Sequence, residues 1–321
     1  LKTTFIKDIK PGQSVNDIFV IRDLQMLNKK NGDPYLSFTL LDKTGELKAV
    51  AWDRVGDFND LLTGVTYIKI NGRVSEYMGA LQFTTNCAPG IQLVSSEDAD
   101  AKDFLPVVDR DIDEMFNELI MHAYGVGGNL KDLLVNFLSD DAFTASFKSA
   151  PGGKRMHHAY IGGLLEHTLT MTGMGFAVLH YVDGLDKDLL ITGIILHDIG
   201  KIHEYTYETP PIDVSDAGRL IGHIGIGLQM LDQKLKELSD FPENLATQLR
   251  HMIVSHHGKR EWGSPEPPKT LEAIVLHNLD MLDAQVAAVK SFMDKHPEPG
   301  WTGYHKILGR HFYNPKKENY E

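Results

Sequence analysis

Ile194-Ile195-Leu196-His197-Asp198-Ile199-Gly200-Lys201 is the stretch from which the rest of the chain is read. A histidine and a carboxylate stand side by side in an apolar run, where both are costly to bury unless something pairs with them. A metal ion is the partner that suits both. Taken alone, the dipeptide reads equally well as a helix end, with Gly200 as the stop and Lys201 solvated beyond it. The histidine distribution weighs against that reading. Of 15 histidines, eleven (157, 158, 167, 180, 197, 203, 223, 251, 256, 257, 277) lie between His157 and His277, several of them inside apolar helical patterns.

Working outward, five helical segments each offer one or two ligand-type side chains. His167 lies in Ile161-Gly162-Gly163-Leu164-Leu165-Glu166-His167-Thr168-Leu169, three residues after Leu164 and four before Met171, so it shares the apolar side of its helix. His197 and Asp198 follow. His223 sits in Leu220-Ile221-Gly222-His223-Ile224-Gly225-Ile226-Gly227, and His256 and His257 close the segment that runs from Leu249 to Ser255. Asp280, in Leu276-His277-Asn278-Leu279-Asp280-Met281-Leu282-Asp283, completes the set. One such histidine is ordinarily a satisfied core or capping residue. Five separate apolar segments all hiding imidazole or carboxylate are poorly explained that way.

At 321 residues the chain has room for two domains, each with its own core. With 42% hydrophobic and 24% charged residues it has the composition of an ordinary soluble protein, and no run approaches the roughly 18 apolar residues of a membrane span. The start, Leu1-Lys2-Thr3-Thr4, has no signal-peptide core, and the single Cys87 excludes an internal disulfide. A cytoplasmic location is therefore expected. The net charge of -12 argues against a generally adhesive nucleic-acid binder, but the acidity is local. Residues 1–95 carry 11 Lys and Arg against 10 Asp and Glu, whereas residues 96–118 carry 2 against 9.

Residues 1–95 read as all-β. Ile18 to Leu27, Tyr35 to Leu41, Glu46 to Trp52, Val65 to Val74 and Ala80 to Thr85 are rich in β-branched and aromatic residues. Turn signals at Asn31-Gly32-Asp33-Pro34, Asp42-Lys43-Thr44-Gly45, Asp57 to Thr63 and Tyr77-Met78-Gly79 separate them. Five short strands predict a small five-stranded OB-like barrel, an architecture that binds single-stranded nucleic acid by stacking bases on aromatic faces beside cations. Tyr35, Phe38, Trp52, Tyr77 and Phe83 with Lys48, Lys69 and Arg73 are the candidates, against the alternative that most of these aromatics are core. Residues 96–110 are expected as an acidic, solvated linker, and residues 111–321 as all-α, interrupted by a loop around Thr206 to Asp216 and ending in a tail. The fold class is thus multi-domain α and β.

The order His167, His197-Asp198, Asp280 resembles the HD-domain superfamily of metal-dependent phosphohydrolases, and His223 with His256-His257 resembles the extended sites that hold two metals. An OB domain ahead of an HD domain, together with His157-His158-Ala159-Tyr160-Ile161-Gly162-Gly163-Leu164-Leu165-Glu166-His167, is similar to the YhaM family of 3'-to-5' exoribonucleases over nearly the whole chain. The resemblance implies one ion held by His167, His197, Asp198 and Asp280, with Asp198 shared with a second ion held by His223 and one or both of His256 and His257. Two such ions would activate water and offset phosphoryl charge, which is what phosphodiester hydrolysis requires. Mixed imidazole and carboxylate donors suit manganese, iron, cobalt or zinc better than magnesium, and the family implies manganese.

Asp198 and Lys201 are the expected catalytic residues, Lys201 by steadying the scissile phosphate. Lys154, Arg155, His157 and His158 are further phosphate-contact candidates, and Glu166, His277 and Asp283 are candidates for orienting ligands. The expected partner is single-stranded RNA, with single-stranded DNA and an oligomeric assembly left open. Two alternatives stand beside this reading: an HD phosphohydrolase of small nucleotides or cyclic dinucleotides, and a non-catalytic RNA-binding protein. The first is weakened by His256-His257-Gly258-Lys259-Arg260-Glu261-Trp262-Gly263-Ser264-Pro265, which lacks the Gly-Tyr-Pro signature of the HD-GYP cyclic-dinucleotide phosphodiesterases. The second is weakened by the complete ligand set.

Overall fold

The computed structural model describes residues 2–88, 90–100, 103–154, 158–207, 210–294 and 296–315. Compactness divides the chain into Leu1–Val107 with Thr206–Asp213, and Val108–Tyr205 with Val214–Glu321.

In the first unit, β1 (Ser14–Asn28), β2 (Pro34–Asp42), β3 (Gly45–Ala51), β4 (Tyr67–Tyr77) and β5 (Ala80–Thr85) form the barrel. Neighbours run β1-β2-β3-β5-β4, and β4 returns to β1 to close the ring. β1 can serve two neighbours because it is long and bent. Its first half pairs with β4 and its second with β2, and the register slips between Arg22 and Gln25, where Asp23 takes φ +54°. Such a bulge sharpens strand twist, as a closed barrel requires. Alternation sends Phe19, Leu36, Phe38, Leu40, Ile68, Ile70 and Phe83 inward as one buried cluster. The five-stranded OB-like barrel is therefore as expected. A sixth strand, β6 (Ile91–Leu93), extends the sheet beyond β4.

Three features differ from expectation. The presumed turn at Asp57 to Thr63 lies within and just after a helix, α1 (Val55–Leu62), whose Val55, Phe58 and Leu62 plug the barrel core. Phe38 and Phe83 are fully buried in that core and have no face to offer a nucleic acid. The acidic segment after residue 95 is only partly solvated: Phe104 packs edge-on against Tyr67, ring centroids 5.1 Å apart, and Lys43 reaches Asp103 at 3.2 Å.

The second unit is helical: α2 (Ile112–Tyr124), α3 (Gly128–Leu138), α4 (Asp141–Ser149), α5 (Gly163–Tyr181), α6 (Lys187–Leu196), α7 (Lys201–Glu204), α8 (Asp216–Leu220), α9 (Gly222–Glu237), α10 (Glu243–Ser255) and α11 (Leu271–Asp294). The loop expected after α7 contains a two-residue ladder, β7 (Tyr205–Thr206) with β8 (Asp213–Val214). Gly300–Trp301 and Tyr313–Asn314 form a second one, so residues 300–314 are built around a ladder of their own. α6 is apolar on all sides and buried from Leu189 to Leu196, the signature of a central helix. Its start is fixed twice: Asp186 caps the Leu189 amide, and the Asp186 amide donates to Glu272 at the head of α11. That fixes α6 against α11 at the ends from which the ligand-type residues follow.

Candidate metal centre

His197 and Asp198 occupy the turn that ends α6, and Gly200 explains why a neighbouring helix can reach them. A Cβ built on Gly200 would lie 2.0 Å from the His223 carbonyl oxygen and 2.6 Å from the Gly227 amide nitrogen, so α9 rests directly on the turn's backbone. A second glycine serves the other side. Gly258, at φ +79°, follows the His256-His257 pair, and the His277 ring fills the space a Cβ would need. His277 Nδ1 in turn donates to the His256 carbonyl at 2.7 Å.

Around Asp198 the side chains fall into two sets, one on each carboxylate oxygen. Facing Oδ2 are His197 Nε2 at 3.3 Å and His167 Nε2 at 3.6 Å, and His167 Nε2 is also 3.5 Å from Asp280 Oδ1. Facing Oδ1 are His256 Nε2 at 3.5 Å and His223 Nε2 at 3.7 Å, with His257 Nε2 3.2 Å from His223 Nε2. His167, His197, Asp198 and His256 are all essentially inaccessible to solvent.

The hydrogen bonds at the far ring nitrogens fix what these Nε2 atoms can be. His167 Nδ1 donates to Asp283 at 2.7 Å, His197 Nδ1 to the Ile194 carbonyl at 2.8 Å, and His223 Nδ1 to Glu204 at 2.9 Å. His256 Nδ1 donates to the Ile253 carbonyl at 2.7 Å and His257 Nδ1 to the Trp262 carbonyl at 3.0 Å. With a proton at Nδ1 committed to these acceptors, each ring in its neutral form presents a bare lone pair at Nε2. Five lone pairs and two carboxylates then converge, an arrangement stable only around positive charge. The buried Asp198 Oδ1 and His256 Nε2 have no hydrogen-bond partner among the described residues, so the donor set fits a bound cation.

The electrostatics agree. Burial alone would raise the Asp198 carboxyl, but Lys201 and His197 hold it well below the usual range. Burial disfavours charge on His197, yet Asp198 lifts its pKa above the ordinary value, so at this ring a bound cation would take the place of a proton on Nε2. Burial holds His256 well below the ordinary value, in the neutral form a ligand needs. Lys201, also buried, remains an ammonium because Asp198 Oδ2 lies 2.5 Å from Nζ and outweighs desolvation.

Comparison with known proteins follows the same residues. The HD domain family matches residues 164–285, which contain all seven ligand-type side chains. The 3'-5' exoribonuclease YhaM of Listeria welshimeri is 32% identical over 97% of this chain and 98% of its own length. That of Bacillus subtilis is 30% identical over 95% of this chain and 96% of its own.

The chain belongs to the YhaM family of 3'-5' exoribonucleases.

Partial likenesses to solved structures are weaker: the second OB-fold domain of replication protein A from Methanococcus maripaludis (18% identity, 29% of this chain, 95% of that one, TM-score 0.23) and the L. monocytogenes phosphodiesterase PgpH HD domain (16%, 48%, 73%, 0.29). As a YhaM-family member with an HD domain, the protein is a metal-dependent exonuclease. Among the described residues no helix is long and apolar enough to cross a membrane.

The structure brings His167, His197, Asp198, His223, His256, His257, Asp280 and Lys201 together, and sets Asp283 and His277 directly behind ligand-type residues. Glu166 is one step further out: it takes a short hydrogen bond from Tyr160 and lies 3.4 Å from His158 Nδ1. His158 departs from its expected role as an open phosphate contact. It is buried, with Nε2 2.9 Å from Asp283, and although burial opposes it, Asp283 and Glu166 push its pKa up to about 9. Lys154 is half-buried and is engaged by a neighbouring group. Arg155 and His157 lie outside the described residues. Sequence reasoning missed Glu204 and Tyr160. Glu204 takes hydrogen bonds from both the ring and the amide of His223, and its position in Lys201-Ile202-His203-Glu204, a turn after the His-Asp pair, was the available signal.

On the barrel, pairing of Leu36 with Ala51 places Tyr35 beside Trp52 on the outward side, ring centroids 5.1 Å apart, with Lys29 Nζ 5.1 Å from the Trp52 ring. Lys48 and Arg73 fall on the same side through their ladder partners Gln82 and Thr84 on β5.

Proposed function

We propose that the protein shortens single-stranded RNA from its 3' end, releasing nucleoside 5'-monophosphates, with two divalent ions held on either side of Asp198. The carrying observation is the partition of donors between the two Asp198 oxygens: His167, His197 and Asp280 on one side, His223, His256 and His257 on the other. Five imidazoles favour a borderline transition metal, and manganese is the family's expectation. Bound there, the ions would supply Lewis acidity and a water activated near neutral pH.

The chain's own groups do the rest. Asp198 stays ionised and shared. Asp283, Glu204 and three backbone carbonyls hold the imidazoles by Nδ1, so the donors are oriented before any ion arrives. Lys201 carries the fixed positive charge beside Asp198 from which a non-bridging phosphate oxygen takes a hydrogen bond. On the barrel, Tyr35 and Trp52 with Lys29, Lys48 and Arg73 capture the strand by stacking and charge. The division of labour is thus a capturing barrel over residues 1–95, an acidic connection over 96–110 and the hydrolytic unit over 111–321. A single buried free cysteine suits a cytoplasmic setting.

The test is a 5'-labelled single-stranded RNA incubated with manganese and resolved on a gel, with metal content measured in parallel. A ladder descending from the 3' end is expected. Asp198→Ala should reduce cleavage by at least about a thousandfold and lose manganese at both positions while RNA affinity is kept. Cleavage by Asp198→Ala at the wild-type rate, or cleavage indifferent to chelator, would overturn the reading.

A further inference from the structure

Next to the imidazole cluster is a cavity of about 340 Å³, whose lining includes Lys201, His257 and Asp280 and, with no ligand chemistry of their own, Trp262, Met281 and Ala284. Trp262 is the unusual member. It stands in the short turn Arg260–Trp262 that leads away from the His256-His257 pair, and about half of its surface is exposed (49%). Its backbone carbonyl accepts a hydrogen bond from His257 Nδ1 at 3.0 Å, so the residue's position is tied to one of the imidazoles. Lys259 Nζ lies 4.5 Å from the indole centroid in a cation–π contact, and the His277 ring, which also lines the cavity, lies 6.3 Å away at 38°. The space thus pairs a half-exposed indole with an ammonium and a carboxylate.

We infer that this cavity seats the 3'-terminal nucleoside of the RNA, with the terminal base stacked on Trp262 and its phosphate toward Lys201. The inference rests on the exonuclease reading above. Three properties converge on it. A cavity at the small end of the ligand-pocket range takes one nucleoside rather than two, so the cut falls one residue from the end. An indole presents a π-face that every base can match, which makes binding indifferent to sequence, as removal of each nucleotide in turn requires. Met281 and Ala284 add apolar surface where a base edge would otherwise be read by hydrogen bonds.

The experiment compares wild type, Trp262→Ala and Trp262→Phe on one 5'-labelled RNA whose 3'-terminal nucleotide is either normal or abasic, with a third substrate abasic at an internal position. For wild type, loss of the terminal base should lower kcat/KM on the order of tenfold, mostly through KM, while the internal abasic site should leave the first cut unchanged. Trp262→Ala should show the same loss on the normal end and no further loss on the abasic end, and Trp262→Phe should regain most of the difference. Trp262→Ala that still discriminates the two ends as wild type does would overturn the seat, as would a wild type that cuts both ends equally. If wild type binds manganese yet shortens none of the three RNAs, the exonuclease reading itself fails, and the seat with it.

Discussion

Asp283 illustrates how a residue outside the ligand set can govern it. One carboxylate oxygen takes hydrogen bonds from His167 Nδ1 and His158 Nε2, and despite burial these two hold the carboxyl well below its usual range. Asp283→Asn keeps the size but can no longer offer a charged acceptor, so the His167 ring loses its enforced tautomer. Manganese affinity should fall about 10- to 100-fold at the position shared by His167, His197 and Asp280, with kcat falling alongside; unchanged metal titration would assign Asp283 to packing alone. Cys87 carries a separate, metal-independent signal. Burial and then the Asp53 carboxylate push its thiol up to about 11, while the unfolded thiol titrates near 9. A raised folded pKa means that the unfolded chain releases this proton first. The contribution is complete below about pH 9 and disappears as pH climbs toward 11, with a ceiling of about 3 kcal/mol. Denaturant titrations across pH 8 to 11 should therefore show a steeper loss for wild type than for Cys87→Ala, and parallel curves would contradict the assignment.

At the scale of elements, close approach at Gly200 sets two local effects against each other. Gly200 has ordinary helical angles, φ -63° and ψ -19°, so propensity alone would make Gly200→Ala mildly stabilising, by less than about 1 kcal/mol. Contact wins, because the added carbon would lie 2.0 Å from the His223 carbonyl and the obstruction is backbone that cannot swing aside. Separating α9 from the turn should cost about 3 kcal/mol, and a lower Tm with manganese affinity weakened at the His223 position is the expected pair of results. A stabilised variant would show that the helices part freely. Elements of this kind also mark how far the sequence could be read. The imidazoles were legible because each interrupts an apolar helical face, and the barrel was legible because its strands alternate between turn signals. α1 was not, since Asp57, Asn59, Asp60 and Thr63 read as a turn and mask the three-then-four spacing of Val55, Phe58 and Leu62. Phe38 could not be placed either, because alternation gives two faces without saying which is inward. Glu204 sits in a four-residue helix too short for any periodicity to show, and only the fold brings it under His223.

For the molecule as a whole, the question is what holds a polyanion to a chain with a net charge of -12. The barrel's 95 residues are almost neutral, so a broad basic surface is not available, and the outward face offers Lys29, Lys48 and Arg73 around the Tyr35–Trp52 pair. Stacking contributes about 1–3 kcal/mol per base, against a counterion term limited by three cations. Affinity for single-stranded RNA should therefore depend on salt with a log–log slope no steeper than about -2, and depend strongly on the two aromatics. The double variant Tyr35→Ala with Trp52→Ala should raise KM for a 20-nucleotide RNA on the order of tenfold or more while leaving a dinucleotide at its wild-type rate. Equal losses on both substrates would show that the aromatics support folding of the barrel rather than capture. A salt slope much steeper than -2 would move capture to a surface whose charge these residues do not supply.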